Sequence, residues 1–81
     1  MNEQKRLGNE KRFDVWIEKP GGGRIYSFEI SGRRGWSSKY LKETDADEIT
    51  IKFWQEIYEE NKNLKEIHGK YPIDKGHKKL K

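Results

Sequence analysis

Three segments near the start of the chain alternate between apolar and polar residues with a period of two, and they span residues 12–18, 24–31 and 36–43. Successive side chains of a β-strand point to opposite faces, so this period predicts three half-buried strands. A Pro-Gly-Gly-Gly run at 20–23 separates the first two, and Ser-Gly-Arg-Arg-Gly at 31–35 separates the second and third. Proline and glycine favour turns, so these breaks predict hairpins within an antiparallel sheet.

The apolar phase of each segment indicates which side is buried. Phe13, Val15 and Ile17 share one phase of the first segment, and Tyr26, Phe28 and Ile30 share one phase of the second. We therefore expect Val15 and Ile17 on the packed side of the sheet and Trp16 on the other side.

The second half of the chain fits two different templates. In the first, residues 49–58 and 64–71 are two further strands joined by a polar turn at 59–63. The β-branched and aromatic run at 49–54 and the two asparagines of the turn favour this template. In the second, residues 46–68 form one long helix with an aromatic stripe at a spacing of three to four residues, which the many Glu and Lys residues favour.

Four short segments carry a resemblance to a known family: Arg34-Gly35-Trp36, Phe53-Trp54-Gln55-Glu56-Ile57-Tyr58, Glu66-Ile67-His68 and Tyr71-Pro72-Ile73-Asp74-Lys75-Gly76-His77. Through them, residues from about 33 to 78 resemble a small uncharacterised domain family of archaea and bacteria. Relatives place an Asn-Gly turn where this chain has Asn61-Lys62-Asn63, and such a turn implies a hairpin. The resemblance thus implies the all-β template, and it implies no known activity.

The sequence therefore predicts one small all-β domain over residues 12–74, an antiparallel meander of about five strands, with a barrel-like closure as a variant. The alternative is an α+β fold, in which a three-stranded antiparallel sheet carries one long C-terminal helix. Residues 1–11 are polar and without periodicity, so we expect a flexible N-terminus, and residues 75–81 are expected to form a basic tail.

Composition narrows the function classes. The 81 residues include no cysteine and no apolar run long enough for a membrane span, and the first residues lack a signal peptide's apolar segment. We expect a cytoplasmic protein without a membrane partner, and the Lys and Glu enrichment is typical of thermophiles. The net charge of +4 is uneven, because residues 1–41 and 65–81 are basic and residues 42–64 are acidic. A basic surface suits an anionic partner.

The loop around the paired arginines is the first candidate for nucleic-acid binding. Arg33 and Arg34 lie between glycines and beside Trp36. A guanidinium binds phosphate through a planar fork, and a flat ring stacks on a base. Lysines near the C-terminus would add phosphate contacts: Lys70, Lys75, Lys78 and Lys79. The first hypothesis is a non-enzymatic nucleic-acid-binding module, with RNA favoured; the structural alternative is a solvated turn with Trp36 packed in the core.

The two histidines suggest a second hypothesis. His68 and His77 would act as general base and general acid in metal-independent RNA cleavage, with Lys75 stabilising the phosphorane and Tyr71 as a further donor. Tyr71 would also stack on a base under the first hypothesis. The histidine spacing matches no familiar zinc motif, so we expect neither a metal nor a cofactor. Under this hypothesis the protein is a small, toxin-like ribonuclease. The structural alternative is that His77 only forms a local hydrogen bond.

Aromatic residues supply a third hypothesis. The chain has ten of them, and a single-layer meander needs only one covered face. Some of Trp16, Tyr40, Trp54 and Tyr58 are therefore expected on a second face. There they would form either a stacking platform for nucleic acid or the interface of a homodimer.

Overall fold

Six β-strands form one antiparallel sheet in which each strand pairs with the next along the chain. The computed structural model describes residues 3–71 and the backbone of residues 76–79. The elements are α1 (Glu3–Arg12), β1 (Val15–Glu18), β2 (Arg24–Ser31), β3 (Ser37–Thr44), β4 (Thr50–Tyr58), β5 (Leu64–Tyr71) and β6 (Gly76–Lys79), with a 3-10 turn at Arg33–Gly35 between β2 and β3.

The predicted antiparallel meander is confirmed. All five predicted strands are present, and β2 and β5 begin and end at the residues that the sequence indicated. The alternative with a long helix over residues 46–68 is wrong, because β4 and β5 occupy that stretch and pair with each other. Over the described residues β1 pairs with β2 alone, so the sheet is open and a barrel-like closure is not supported.

The N-terminal segment differs from the flexible terminus that the sequence suggested over residues 1–11. It forms the ten-residue helix α1, and the side chains of α1 contact distant parts of the chain. Arg6 Nε donates to Glu48 Oε1 at 2.9 Å, and Arg24 Nη1 donates to Glu10 Oε2 at 2.6 Å. Short helices are marginal alone and are stabilised by packing, so local sequence patterns do not reveal this one. In the part of the chain that the structure describes, no helix is long and apolar enough to cross a membrane.

A further difference lies at the other end, where residues 75–81 were expected to be a basic tail. The backbone of Gly76–Lys79 forms β6 and pairs antiparallel with β5. An edge strand is held by backbone N–H and C=O groups, which almost every residue offers, so a lysine-rich composition does not prevent it. The remaining residues of that segment lie outside the described residues.

Three hairpin loops share one geometry, and they span residues 19–23, 45–49 and 59–63. In each, the first residue donates its N–H to the carbonyl of the fifth, and the fourth donates to the carbonyl of the first. The fourth residue is left-handed in each loop, at Gly22 (φ 99°), Glu48 (φ 63°) and Lys62 (φ 69°). Glycine adopts this conformation without penalty, whereas Glu48 and Lys62 do not.

The sheet has two different faces. We call the side that α1 partly covers the helix face, and the other side the open face. The strand register places these residues on the helix face: Trp16, Tyr26, Phe28, Tyr40, Lys42, Phe53, Gln55 and His68. It places these on the open face: Val15, Ile17, Ile25, Leu41, Trp54 and Glu56.

The expected orientation of β1 is therefore wrong. Val15 and Ile17 are 56% and 64% exposed on the open face, whereas Trp16 packs on the helix face against Tyr26, with ring centroids 5.9 Å apart. The guanidinium of Arg24 lies over the Trp16 ring at 5.3 Å. Period-two alternation defines two sides but not which is buried, and here the larger apolar ring is on the packed side.

Aromatic rings run across the helix face from α1 to β4. Phe13, just after α1, is buried and lies 5.4 Å from Phe28 by ring centroids. Phe28 stacks on Tyr40 at 5.0 Å, and Tyr40 on Phe53 at 6.5 Å. Aromatic pairs at such distances stabilise by about 0.5–1.5 kcal/mol each beyond their buried area. This row of rings forms the floor of a groove on the helix face.

Candidate nucleic-acid interface

A groove of about 780 Å³ lies on the helix face beside the C-terminal end of α1. Its lining comes from the end of α1, the residue after it, the loop before β4 and the four strands β2 to β5: Arg12, Phe13, Phe28, Lys42, Ile49, Thr50, Phe53 and Tyr71. We call this the aromatic groove. Ligand-binding clefts in proteins usually measure about 300–1,000 Å³, so the groove has the size of a binding site.

The floor of the aromatic groove offers flat rings to a ligand. Phe28 and Phe53 are only partly buried, with Tyr40 stacked between them. Tyr71 is the cross-strand partner of Phe53 and is 48% exposed at the end of β5. Exposed rings on a sheet surface are the usual platform on which unpaired bases stack.

A positive charge stands directly beside this floor. Lys42 lies between Tyr26 and Phe53 in the strand register, so neither cross-strand neighbour is a carboxylate. Its ammonium donates to Asn9 Oδ1 at 2.9 Å, a neutral acceptor. The charge of Lys42 is therefore held in place by a hydrogen bond without being neutralised by it.

The surroundings of Lys42 are electropositive. Burial lowers the pKa of Lys42, and the charges of Arg12 and Lys5 lower it further, while Glu48 opposes the shift. A lowered lysine pKa means that the protonated form is less stable at this position than it is in water. An anion bound between Lys42 and Arg12 would stabilise the protonated form of Lys42.

Glu48 positions this cation through Asn9. Its carboxylate is fully buried and accepts hydrogen bonds from Tyr26 Oη at 2.7 Å, Asn9 Nδ2 at 3.0 Å and Arg6 Nε at 2.9 Å. Burial raises the pKa of Glu48, but the three hydrogen bonds outweigh it and the net pKa is lowered. Asn9 thus donates to Glu48 and accepts from Lys42, which fixes the lysine at the groove.

The open face has a different charge arrangement. Lys39 is paired in register with Glu29 on one side and Glu56 on the other, and Lys52 is paired with Glu43. Opposite charges on facing positions compensate each other. The helix face therefore carries a cation, Lys42, that has no carboxylate as a cross-strand neighbour, and it is the better surface for a polyanion.

The four aromatic residues expected on a second face are divided between both. Trp16 and Tyr40 lie on the helix face, whereas Trp54 and Tyr58 lie on the open face. Glu56 accepts hydrogen bonds from Trp54 Nε1 at 2.9 Å and from Tyr58 Oη at 2.6 Å. Burial and Glu56 raise the pKa of Tyr58 to about 12.

The predicted arginine loop forms a separate surface. Arg33, Arg34 and Trp36 are exposed and together line a depression of about 460 Å³. Trp36 is 38% exposed, so it is not packed in the core as the structural alternative required. The loop precedes β3, and Lys42 lies five residues beyond Ser37, the first residue of β3, a separation of roughly 17 Å at the rise of a β-strand. The loop and the aromatic groove are distinct.

The structure brings some C-terminal candidates together and leaves others undescribed. His68 is buried on β5, and the backbone of β6 places His77 as its cross-strand partner. Lys70 is exposed beside Tyr71, at the groove end of β5. The backbones of Lys78 and Lys79 pair with β5, while Lys75 lies outside the described residues. Among residues 3–71 no three His, Asp or Glu side chains gather in a way that suits a metal ion.

The groove cations were missed in the sequence. Lys42 had one usable signal, because it occupies the same alternating phase of β3 as Tyr40, where an apolar residue is expected. Arg12 and Lys5 had none, since their position depends on α1 packing against residues more than thirty positions away.

Comparison of the chain with protein-family models, with curated proteins and with solved structures found no match. The resemblance of residues from about 33 to 78 to an archaeal and bacterial domain family stays a prediction.

Proposed function

We propose that this protein binds single-stranded nucleic acid, with RNA as the favoured partner, through the aromatic groove. The observation that carries the proposal is the placement of the half-buried ring of Phe53 and the exposed ring of Tyr71 beside the cations Arg12 and Lys42. In proteins that bind single strands, aromatic rings stack on the bases and cations contact the phosphates.

Magnitudes support an interaction of useful strength. Stacking one base on an aromatic side chain contributes about 1–3 kcal/mol, and the groove offers rings to more than one base. Each phosphate neutralised by Lys or Arg releases condensed counterions, which adds a salt-dependent term. Neither base stacking nor counterion release depends strongly on the identity of the base, so we expect a weak sequence preference.

Single strands fit the groove better than duplexes. In a duplex the bases are stacked on one another, and their faces are not accessible to Phe53 or Tyr71. RNA is favoured because its loops, bulges and ends commonly present unstacked bases. A duplex competitor should therefore bind mainly through phosphates and more weakly than a single strand of equal charge.

The direct test is fluorescence anisotropy with a labelled single-stranded RNA across a range of salt concentrations. We expect affinity to fall steeply with salt and Tyr71→Ala to weaken binding by about 1–3 kcal/mol. Lys42→Gln should flatten the salt dependence. Lys39→Gln is the matched control, because it removes the same charge from the same strand on the open face.

Two results would count against the proposal. Absence of binding to any single-stranded RNA or DNA at low salt would remove it. Equal effects of Lys39→Gln and Lys42→Gln would show binding that is electrostatic but not located in the groove.

Ribonuclease activity is the second candidate function. The observation that favours it is the pairing of β5 with β6, which makes His68 and His77 cross-strand partners. Two histidines at such a position are close enough in the backbone to act on one substrate as base and acid. Because His68 is only 8% exposed, the binding function is better supported. A metal-independent cleavage assay on single-stranded RNA separates the two.

A further inference from the structure

A second, smaller cavity adjoins the aromatic groove. It measures about 290 Å³ and shares Arg12, Lys42, Ile49 and Thr50 with the groove. The rest of its lining comes from one side of α1 and from the loop before β4: Lys5, Gly8, Asn9 and Glu48. We call it the basic cavity. A ligand lying in the groove can extend into the basic cavity without leaving the protein surface.

The charge of the basic cavity is positive. Lys5, Arg12 and Lys42 line it, and among its described lining residues Glu48 is the only carboxylate. Both oxygens of Glu48 already accept hydrogen bonds, from Arg6 on one oxygen and from Asn9 and Tyr26 on the other. The carboxylate of Glu48 is fully buried behind these donors, and its charge offsets part of the lowering of the Lys42 pKa.

Donors remain for an anion. An ammonium group has three N–H donors, and Asn9 Oδ1 accepts one from Lys42, which leaves two. A guanidinium has five donors, and Arg12 reaches both cavities from the last turn of α1. The hydroxyl of Thr50 adds a further donor to the lining.

We infer that the two connected cavities bind the phosphorylated end of a nucleic-acid strand, with the terminal base in the aromatic groove and the terminal phosphate in the basic cavity. The inference rests on the proposed function and names the part of the strand that this site takes. A terminal phosphate monoester carries a charge of about −1.5 to −2 and three acceptor oxygens. An internal phosphodiester carries a single charge. Three clustered cations match the terminal group better.

The test uses four forms of one ligand sequence. They are a single-stranded RNA with hydroxyls at both ends, the same RNA with a 5′-phosphate, the same with a 3′-phosphate, and the free mononucleotide as a competitor. We expect one phosphorylated end to bind at least about tenfold tighter than the hydroxyl form, which is the gain from roughly one added charge-assisted hydrogen bond.

Substitutions test whether the preference for a phosphorylated end depends on the cations of the basic cavity. Lys42→Gln should reduce it to less than about twofold, while Lys39→Gln should keep it. If Lys42→Gln fails to fold by circular dichroism, Arg12→Gln provides the same test, with the exposed neighbour Lys11→Gln as its control. Preference retained in both Lys42→Gln and Arg12→Gln would overturn the inference.

The remaining outcomes are distinguishable. Equal affinity for all three strands overturns the inference and leaves the proposed function in place. If none of the four ligands binds, both the inference and the proposed function are wrong. A mononucleotide that competes as strongly as the phosphorylated strand shows that the site takes a free nucleotide, which overturns recognition of a strand end.

Discussion

Glu48 and Lys62 provide a matched pair of positions for one substitution. Each is the fourth residue of a hairpin loop with the same two backbone hydrogen bonds, and each has a left-handed φ, of 63° and 69°. Lys62 is exposed, whereas the Glu48 carboxylate is buried and accepts three hydrogen bonds. Glycine relieves the same backbone strain in both loops but removes buried contacts only at Glu48.

The expected magnitudes follow from these contacts. A left-handed conformation penalises a residue other than glycine by about 1–2 kcal/mol. Glycine also loses roughly 0.5–1 kcal/mol more chain entropy on folding. Lys62→Gly should therefore stabilise the fold by about 0.5 kcal/mol. Removing one partner of a buried charge network costs about 3–5 kcal/mol, so Glu48→Gly should destabilise by roughly 3 kcal/mol despite the relief.

Thermal unfolding followed by circular dichroism measures the difference. For a domain of this size a change of 1 kcal/mol moves Tm by about 4–8 °C. We expect Lys62→Gly to raise Tm by roughly 2–4 °C and Glu48→Gly to lower it by roughly 12–24 °C. Equal shifts in both variants would refute the role of the buried carboxylate in attaching α1 to the sheet.

Three further predictions concern pH, the arginine loop and the histidines. The folded-state pKa of Glu48 lies below its ordinary value of 4.5. The ionised carboxylate should therefore contribute its full stabilisation above pH 4.5, and this contribution should be lost as the pH falls through the folded-state pKa. The Tm of the wild type should decline with acid more steeply than the Tm of Glu48→Gln. Joint substitution of Arg33 and Arg34 by alanine should reduce the salt slope of RNA binding if a bound strand reaches that loop, and unchanged binding confines the site to the aromatic groove. The ribonuclease candidate predicts a bell-shaped pH dependence, products with 2′,3′-cyclic phosphate and no inhibition by EDTA, with His77→Ala reducing the rate about 100-fold at unchanged Tm; RNA that stays intact removes that candidate.

The parts of the fold that local patterns determine were predictable. β2 and β5 follow directly from period-two alternation between turn residues, and the glycines at 21–23 indicate the first hairpin. The side on which Trp16 packs was not predictable, because alternation is symmetric and the buried side is chosen by Tyr26 and Arg24 across the strands.

Long-range contacts account for what the sequence did not reveal. α1 depends on Glu48, which lies 39 and 42 residues from its partners Asn9 and Arg6. The candidate site depends on the same contacts, since Lys42 becomes a groove residue only when Asn9 and Arg12 are placed beside it. The arginine loop, by contrast, is a local feature, and its exposure followed from composition.

Methyl NMR with labelled isoleucine residues can show directly whether single-stranded RNA binds in the aromatic groove. Ile49 lines the aromatic groove, whereas Ile17 and Ile25 lie on the open face. On titration with a single-stranded RNA, we expect a saturable shift of the Ile49 methyl signal with little change at Ile17 and Ile25. Shifts confined to Ile17 and Ile25, with Ile49 unchanged, would contradict it and place the partner on the open face.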